Sequence, residues 1–348
     1  MLQEISERVR AAYASDSPLI IQGGGSKTFY GNADEGEVLS TRALTGVVDY
    51  QPKELVLTAR AGTPLADIEA LLDAHGQMLA FEPPCFGGPA TLGGCIAAGL
   101  SGPRRPYAGA ARDFVLGVRM IDGSGQALRF GGQVIKNVAG YDVSRLMVGA
   151  LGTLGLLTEL SLKVLPKPAE EVSLQFEFDE ATAIRRMNEW AGQPLPLSAT
   201  SWHAGLLTLR LSGAASAVHA AQARLGGDAL KDGSAFWQRL RDQTAPFFDK
   251  RPLWRLAVRP PTPPLNLGYA QWIEWGGAVR WLAAELQPAV LRTTVKGAGG
   301  HATLFRGDTP ADGAFTPLAP ALAVLHRNLK QRFDPHGILN RGRLYPEF

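Results

Sequence analysis

The sequence predicts an α+β protein of two domains. Three observations carry that reading. At 348 residues the chain is longer than a single core usually serves. Strand-like and helix-like patterns are mixed along it. A stretch of proline and charge, PKPAEE at residues 166–171, separates a glycine-rich first half from a second half of different texture. The expected domains are residues 1–168 and 169–348.

In the first domain, Leu2, Ile5, Val9 and Ala12 recur at helical spacing. The apolar run PLIIQ then reads as a short buried strand that enters three consecutive glycines, Gly23 to Gly25. ELVLTARAG (54–62) reads as a second strand. TPLADIEALLDAHG reads as a helix, with Thr63 as its expected cap, Pro64 in the first turn and Gly76 as the stop. Residues 82–109 are rich in glycine and proline, and so long a loop inside a compact domain is usually functional. DFVLGVRMIDGSGQALRFGG predicts a hairpin turning at Asp122-Gly123. A loop, a short helix and a second glycine-rich turn follow, ending in LLTELSLKVLP. There Leu156, Leu160, Leu162 and Val164 alternate with Glu159, Ser161 and Lys163, as in a half-buried strand.

The second domain reads as strand VSLQFEF, helix ATAIRRMNEWAG, strand GLLTLRLSG and helix AASAVHAAQARLGG. Trp254, Trp272, Trp275 and Trp281 then fall close together, as core packing, an aromatic wall or a subunit contact. A last helix over residues 318–331 presents Leu318, Leu322, Leu325 and Leu329 on one face. Phe333-Asp334-Pro335 ends it, because the residue before a proline avoids helical backbone.

Composition excludes several classes. Apolar residues are 45% and charged residues 19%, as in soluble globular proteins. The 40 glycines and 24 prolines sit at fixed places rather than in repeats, so they mark functional loops. A net charge of +3 with no basic run argues against nucleic-acid binding. The charged start, MLQEISERVR, gives no secretory signal. The apolar stretch 146–158 is too short to span a bilayer, so membrane association is expected only through partners. Two cysteines, Cys85 and Cys95, cannot supply the four ligands of an iron–sulfur cluster or a structural zinc, and are read as free thiols.

The glycines pose the chemical question. A phosphate loop of the nucleotide triphosphatase kind needs glycine before Lys-Ser/Thr, but Ser26 precedes Lys27-Thr28. A dinucleotide fingerprint starting at Gly23 needs glycine at position 28, where Thr28 stands. Two segments acting together fit better. Gly23 to Gly25 offer a nest of backbone N–H groups. Thr91-Leu92-Gly93-Gly94 opens an apolar helical run whose start presents further free N–H groups. The pair suits a pyrophosphate gripped from both sides.

At these residues a family becomes recognisable. IQGGGSK, PPCFGGPATLGGCIAAGLSGPRRPYAG and IKNVAGYDVSRLMVGALGTLGLLTEL together resemble the FAD-binding domain of the vanillyl-alcohol oxidase and para-cresol methylhydroxylase (PCMH) type, over residues 1–168. The ending FDPHGILNRGR resembles the tail of the FAD-linked oxidase C-terminal domain. AGLSGPRRP, RFGGQVIKNVAGYDVSRLMVG, EWGGAVRWL and AGGHATLF bring the whole chain close to the FAD-binding E subunits of bacterial glycolate dehydrogenase, also called glycolate oxidase.

The resemblance implies a PCMH-type FAD-binding domain of two α+β subdomains. It implies a shortened α+β cap domain after it, whose tail, residues 333–348, packs back on the FAD domain. It implies non-covalent FAD. Gln22, Gly23, Gly24, Gly25, Ser26 and Lys27 would hold the pyrophosphate, gripped from the other side by Thr91, Gly93 and Gly94. Pro83, Pro84 and Ala90 would shape the wall near the flavin, with Gly102 and Arg105 in a loop close to it. Gly152, Thr153, Gly155, Leu156 and Leu157 would bring backbone near the adenosine or the ring. It also implies two partners, a catalytic FAD subunit and an iron–sulfur subunit, at the cytoplasmic face of the inner membrane. Electrons from glycolate, with D-lactate as a second acid, would pass through them to a quinone.

The chain departs from the related hydroxy-acid dehydrogenases in one place. Their His-rich metal-binding segment is reduced here to KGAGGHATLFRG, with His301 alone. His301 and Arg343 are left as candidate catalytic groups, with Arg341 beside them, and no metal site is expected. Two alternatives stay open: a self-sufficient FAD-dependent D-2-hydroxy-acid dehydrogenase, and a non-catalytic scaffold.

Overall fold

The computed structural model describes residues 1–33, 35–132 and 142–348. The loop expected between the hairpin and the short helix falls mainly at 133–141, outside the described residues. The first helix, Leu2–Ser15, buries Ile5, Val9 and Ala12. It packs on strand Leu19–Gln22, which pairs in parallel with Glu37–Ser40. A five-stranded antiparallel sheet follows, in the order Val47–Gln51, Val56–Arg60, Leu156–Lys163, Val115–Ile121, Ala127–Gly131. Helices Leu65–Asp73 and Leu92–Ala98 share its core.

Two local expectations are corrected here. Thr63 does not cap the helix at Leu65. Its hydroxyl accepts from the Gly46 amide at 3.0 Å instead, and Pro64 takes the cap position. Leu156–Lys163 is the middle strand of its sheet and is covered on both faces, so it is not half-buried. Its polar Ser161 survives there because the hydroxyl bonds Thr58 Oγ1 at 2.9 Å.

The second half builds one eight-stranded antiparallel sheet. Its order is Asp228–Ala229, Glu170–Glu177, Leu206–Gly213, Leu197–His203, Gln271–Glu274, Val279–Ala283, Leu253–Ala257, His301–Arg306. Helices Glu180–Ala191 and Ala215–Leu225 share a core with Leu207, Leu209 and Leu211. The sequence pattern found Glu170–Glu177 and Leu206–Gly213, adjacent near one end of the sheet, and missed the other six strands, both edges included. Gln271 to Glu274 are all buried, and a strand covered on both faces shows no alternation. The four tryptophans belong to these strands or border them, and each is at most 9% exposed, so they are core and not a partner surface.

The last helix, Pro320–Phe333, also differs from its reading. Leu322 and Leu325 are 49% and 57% exposed, and only Leu329 and Phe333 of its apolar residues pack on the first core. The helix matters for its C-terminal end. Lys330 Nζ donates to Thr153 O at 2.9 Å, to Leu339 O at 2.7 Å and to Asp334 Oδ2 at 2.7 Å. Asp334 in turn accepts from the amides of Ile338 and Leu339. The chain that follows lies beside the first strand: Leu19 N donates to Ile338 O at 2.7 Å and Asn340 N to Leu19 O at 2.9 Å.

The long loop is tied to the second sheet by charge. Arg104 pairs with Glu82 at 3.2 Å and with Glu171 at 2.7 Å, and Arg210 pairs with Glu82 at 2.7 Å. All four side chains are at most 30% exposed.

Asp334→Ala leaves the Lys330 ammonium buried beside two carbonyls with no counter-charge. The expected loss is about 3–5 kcal/mol of unfolding free energy, read by urea denaturation.

Candidate functional site

Two cavities lie side by side in the first half and its seam with the second. The larger, ≈ 400 Å³, is bounded by strand Leu19–Gln22, the glycine loop after it, helix Leu92–Ala98, the turn at Leu151-Gly152 and the tail residues Asn340 and Arg343. The smaller, ≈ 240 Å³, is bounded by the 98–105 segment and by Arg255, Glu274, Trp275 and Trp281 of the second sheet. Ala98 lines both.

The glycine loop is shaped by close approach. A Cβ on Gly24 would sit 1.4 Å from Pro89 O, and one on Gly23 would sit 2.3 Å from Thr91 Oγ1. No side chain fits at either place. Among the described residues, the main-chain amides of Gly23, Gly24, Gly25, Ser26 and Lys27 donate to no protein acceptor. Five such N–H groups along one cavity wall need an acceptor, and an anion supplies one. Across the cavity Thr91 caps its helix by accepting from Gly94 N at 3.3 Å, and Gly94 faces open space except for that hydroxyl.

The structure brings most of the expected residues together. Gln22 to Lys27, Thr91, Gly93, Gly94, Gly152, Gly155 and Leu157 line the larger cavity. Pro84, Gly102 and Arg105 line the smaller one. Pro83, Ala90, Thr153 and Leu156 line neither. Thr153 is instead bonded through its hydroxyl to Ala150 O and through its carbonyl to Lys330, and Leu156 is buried against the first helix.

The candidate catalytic groups fall elsewhere. His301 begins an edge strand outside both cavities; its surface is open to solvent, yet the protein packed around it lowers its pKa, with Arg255 lowering it further. Arg343 borders the larger cavity, but its guanidinium donates to the carbonyls of Asn32, Lys27 and Thr28, so it shapes the wall. Arg341 bonds Gly337 O on the surface. Cys85 and Cys95 are free, and burial pushes the Cys95 thiol up to about 12. Among the described residues no group of His, Cys, Asp and Glu could hold a metal ion.

Sequence reasoning missed Arg255 and Glu274. Glu274 is 6% exposed and its Oε1 accepts from Trp281 Nε1 at 2.6 Å. Burial raises its pKa from 4.5 to about 7, against the lowering effects of that bond and of Arg255, with Glu82 adding a small increase. The available signal was a glutamate closing the short, all-buried strand QWIE.

Residues 2–131 match the family model described as an FAD binding domain. Over 346 residues the chain is 48% identical to glycolate oxidase subunit GlcE of Escherichia coli (strain K12), covering 99% of this chain and 97% of that one. The chain belongs to the GlcE family of glycolate oxidase subunits. It is also 30% identical over 173 residues to glycolate oxidase subunit GlcD of Bacillus subtilis (strain 168), covering 49% of this chain and 37% of that one. Among solved structures, p-cresol methylhydroxylase with substrate bound shares the fold at a TM-score of 0.72 and 15% identity, over 99% of this chain and 87% of that one.

The cofactor of this family is FAD. The residues present fit it. The row of unpaired amides and Lys27 suit a pyrophosphate, and Ile20, Val38 and Leu157 give the same cavity apolar walls for a flat ring.

Gly24→Ala forces the loop off Pro89. Its flavin content after purification, read by absorbance, is expected to fall more than about tenfold, a change worth ~1.4 kcal/mol or more in binding. Glu274 gives a pH signature. Unfolded, it loses its proton near 4.5; folded, only near 7. Its contribution to stability is therefore present below pH 4.5 and lost as the pH rises through 7. Compared with Glu274→Gln, the wild type is expected to lose roughly 3 kcal/mol more between pH 4.5 and 7.5, read by chemical denaturation.

Proposed function

We propose that this chain is the FAD-holding subunit of a complex that oxidises glycolate to glyoxylate. The observation that carries the reading is the row of five unpaired amides, Gly23 to Lys27, along a cavity closed on the far side by the Thr91-capped helix. These amides and Lys27 hold the pyrophosphate of non-covalent FAD, Gly94 leaves room for it, and Gly93 lets the helix start lie close against Ala61. Bound FAD supplies a two-electron acceptor for a hydroxy-acid. The chain's own residues hold that cofactor at the seam of the two halves, where the smaller cavity opens on the same Ala98.

Two relatives are named as subunits of glycolate oxidase, which supports a multi-subunit assembly. We assign the partners as a catalytic FAD subunit and an iron–sulfur subunit that passes electrons to a quinone. No helix among the described residues is long and apolar enough to cross a membrane. The complex sits at the inner membrane through those partners, with this chain on the cytoplasmic side.

Gly94→Glu is the direct test. Its Cβ meets only Thr91 Oγ1, at 3.2 Å, so the variant folds, while its carboxylate repels a pyrophosphate. The purified variant is expected to be colourless where the wild type is yellow. Glycolate-dependent dye reduction by the reconstituted complex is expected to fall more than about tenfold. Normal turnover by a complex with no flavin on this chain would overturn the reading.

A further inference from the structure

The smaller cavity holds charges and one polar atom that the FAD-holding role does not use. Four arginines line it: Arg241 is paired with Glu69 and Asp242 and Arg112 is exposed to solvent, which leaves Arg105 from the long loop and Arg255 from the second sheet as the covered cations without a carboxylate partner. Their guanidinium carbons lie 4.4 Å and 5.1 Å from the ring centroid of Trp275. Among the described residues neither guanidinium group makes a hydrogen bond or an ion pair with protein, although both main chains are bonded. Each therefore keeps its donors for something else. The two cations also disfavour one another: Arg105 has its pKa lowered first by burial and then by Arg255.

The one carboxyl in the cavity does not cancel this charge. Glu274 is engaged by the Trp281 indole N–H, and burial keeps its proton on up to about pH 7. The fourth group is Gln243. Its side chain is 7% exposed, it lines the same cavity, and its Oε1 has no hydrogen-bond partner among the described residues. A buried acceptor without a donor is costly, and one ligand hydroxyl satisfies it. Its left-handed backbone, at φ 53°, is the C-cap of helix Gly233–Asp242, and the cap fixes where the side chain starts.

Two unpaired guanidinium groups and one orphan acceptor match a small acid that carries a hydroxyl. We infer that the smaller cavity is a binding site on this subunit for a 2-hydroxy carboxylate, with Arg105 and Arg255 taking the carboxylate and Gln243 Oε1 accepting the hydroxyl. Arginine is suited to the first task because its planar fork meets both carboxylate oxygens. A volume of ≈ 240 Å³ admits an acid of a few carbons. The inference rests on the FAD reading only in setting the acid beside the cofactor across Ala98. It concerns binding by this chain's own residues.

The test is calorimetric titration of the full-length, FAD-loaded chain with glycolate and with acetate, which differs only in lacking the hydroxyl. Glycolate is expected to bind more than about tenfold tighter than acetate, since a site built around a buried polar partner rejects an analogue that leaves it unpaired. Gln243→Met keeps the side chain's length and removes the acceptor. It is expected to bring the two acids within about threefold of each other by weakening glycolate alone. Arg105→Met and Arg255→Met are expected to weaken both acids by more than about tenfold, with Arg255→Lys restoring part of the loss. Retained flavin absorbance and an unchanged melting temperature exclude a folding failure. Equal binding of both acids by the wild type overturns the hydroxyl assignment. Binding by the flavin-free chain but not by the loaded one overturns the site, because the flavin itself then fills the cavity. A wild type that binds no flavin counts against the reading above and leaves the acid titration of that chain to judge the arginine pair by itself.

Discussion

The larger cavity depends on a buried ammonium group far from most of its lining in sequence. Lys330 holds the carbonyls of Thr153 and Leu339 and the carboxylate of Asp334, and so joins three pieces of chain at one point. Charges so placed carry a large desolvation penalty, and only full hydrogen bonding offsets it. The hub meets that condition, since Asp334 also takes two main-chain amides. From it the tail runs on to brace the walls. Asn340 Oδ1 accepts from Ile21 N and its Nδ2 donates to Leu151 O, and Arg343 secures the carbonyls of Lys27 and Thr28. The glycine loop therefore has its exit fixed by a residue more than 300 positions further along the sequence.

Strain gathers along the same walls. Glu82, Phe86, Leu151, Gln243, Trp275 and Asn340 all have φ between 41° and 57°, in the left-handed region. Five of these six touch one of the two cavities, and the sixth, Glu82, anchors the ionic clamp between the long loop and the second sheet. Such backbone persists only where the surroundings over-determine it. The clamp and the tail supply that determination from opposite sides, so the walls reach their shape before anything binds.

Much of this was legible in the sequence because the signals were local. The glycine loop, the Thr91 cap and the hairpin at Asp122-Gly123 each follow from a few adjacent residues. The smaller cavity was not legible. Glu274 lies on a strand with no alternation, because neighbours cover both faces, and Arg255 is a single charge in a five-residue strand, LWRLA. Nothing near them in sequence announces that Arg105, some 150 residues earlier in the chain, faces the same indole. His301 drew attention for the opposite reason. A lone histidine beside glycines is conspicuous as a string, yet its strand sits at the edge of the sheet and it lines neither cavity. The last helix misled in the same way, since its leucine stripe has the right period but meets a core only at Leu329.

The bond from Ile21 to Asn340 spans 319 positions. On the ribosome that separation becomes time. At about 5–20 residues per second, the first strand waits roughly 15–60 s for the residues that complete it. During that interval the amide row exists only as a loose turn without its brace. The wall of the larger cavity is thus completed only after residues 330–343 have been made and have docked beside the first strand.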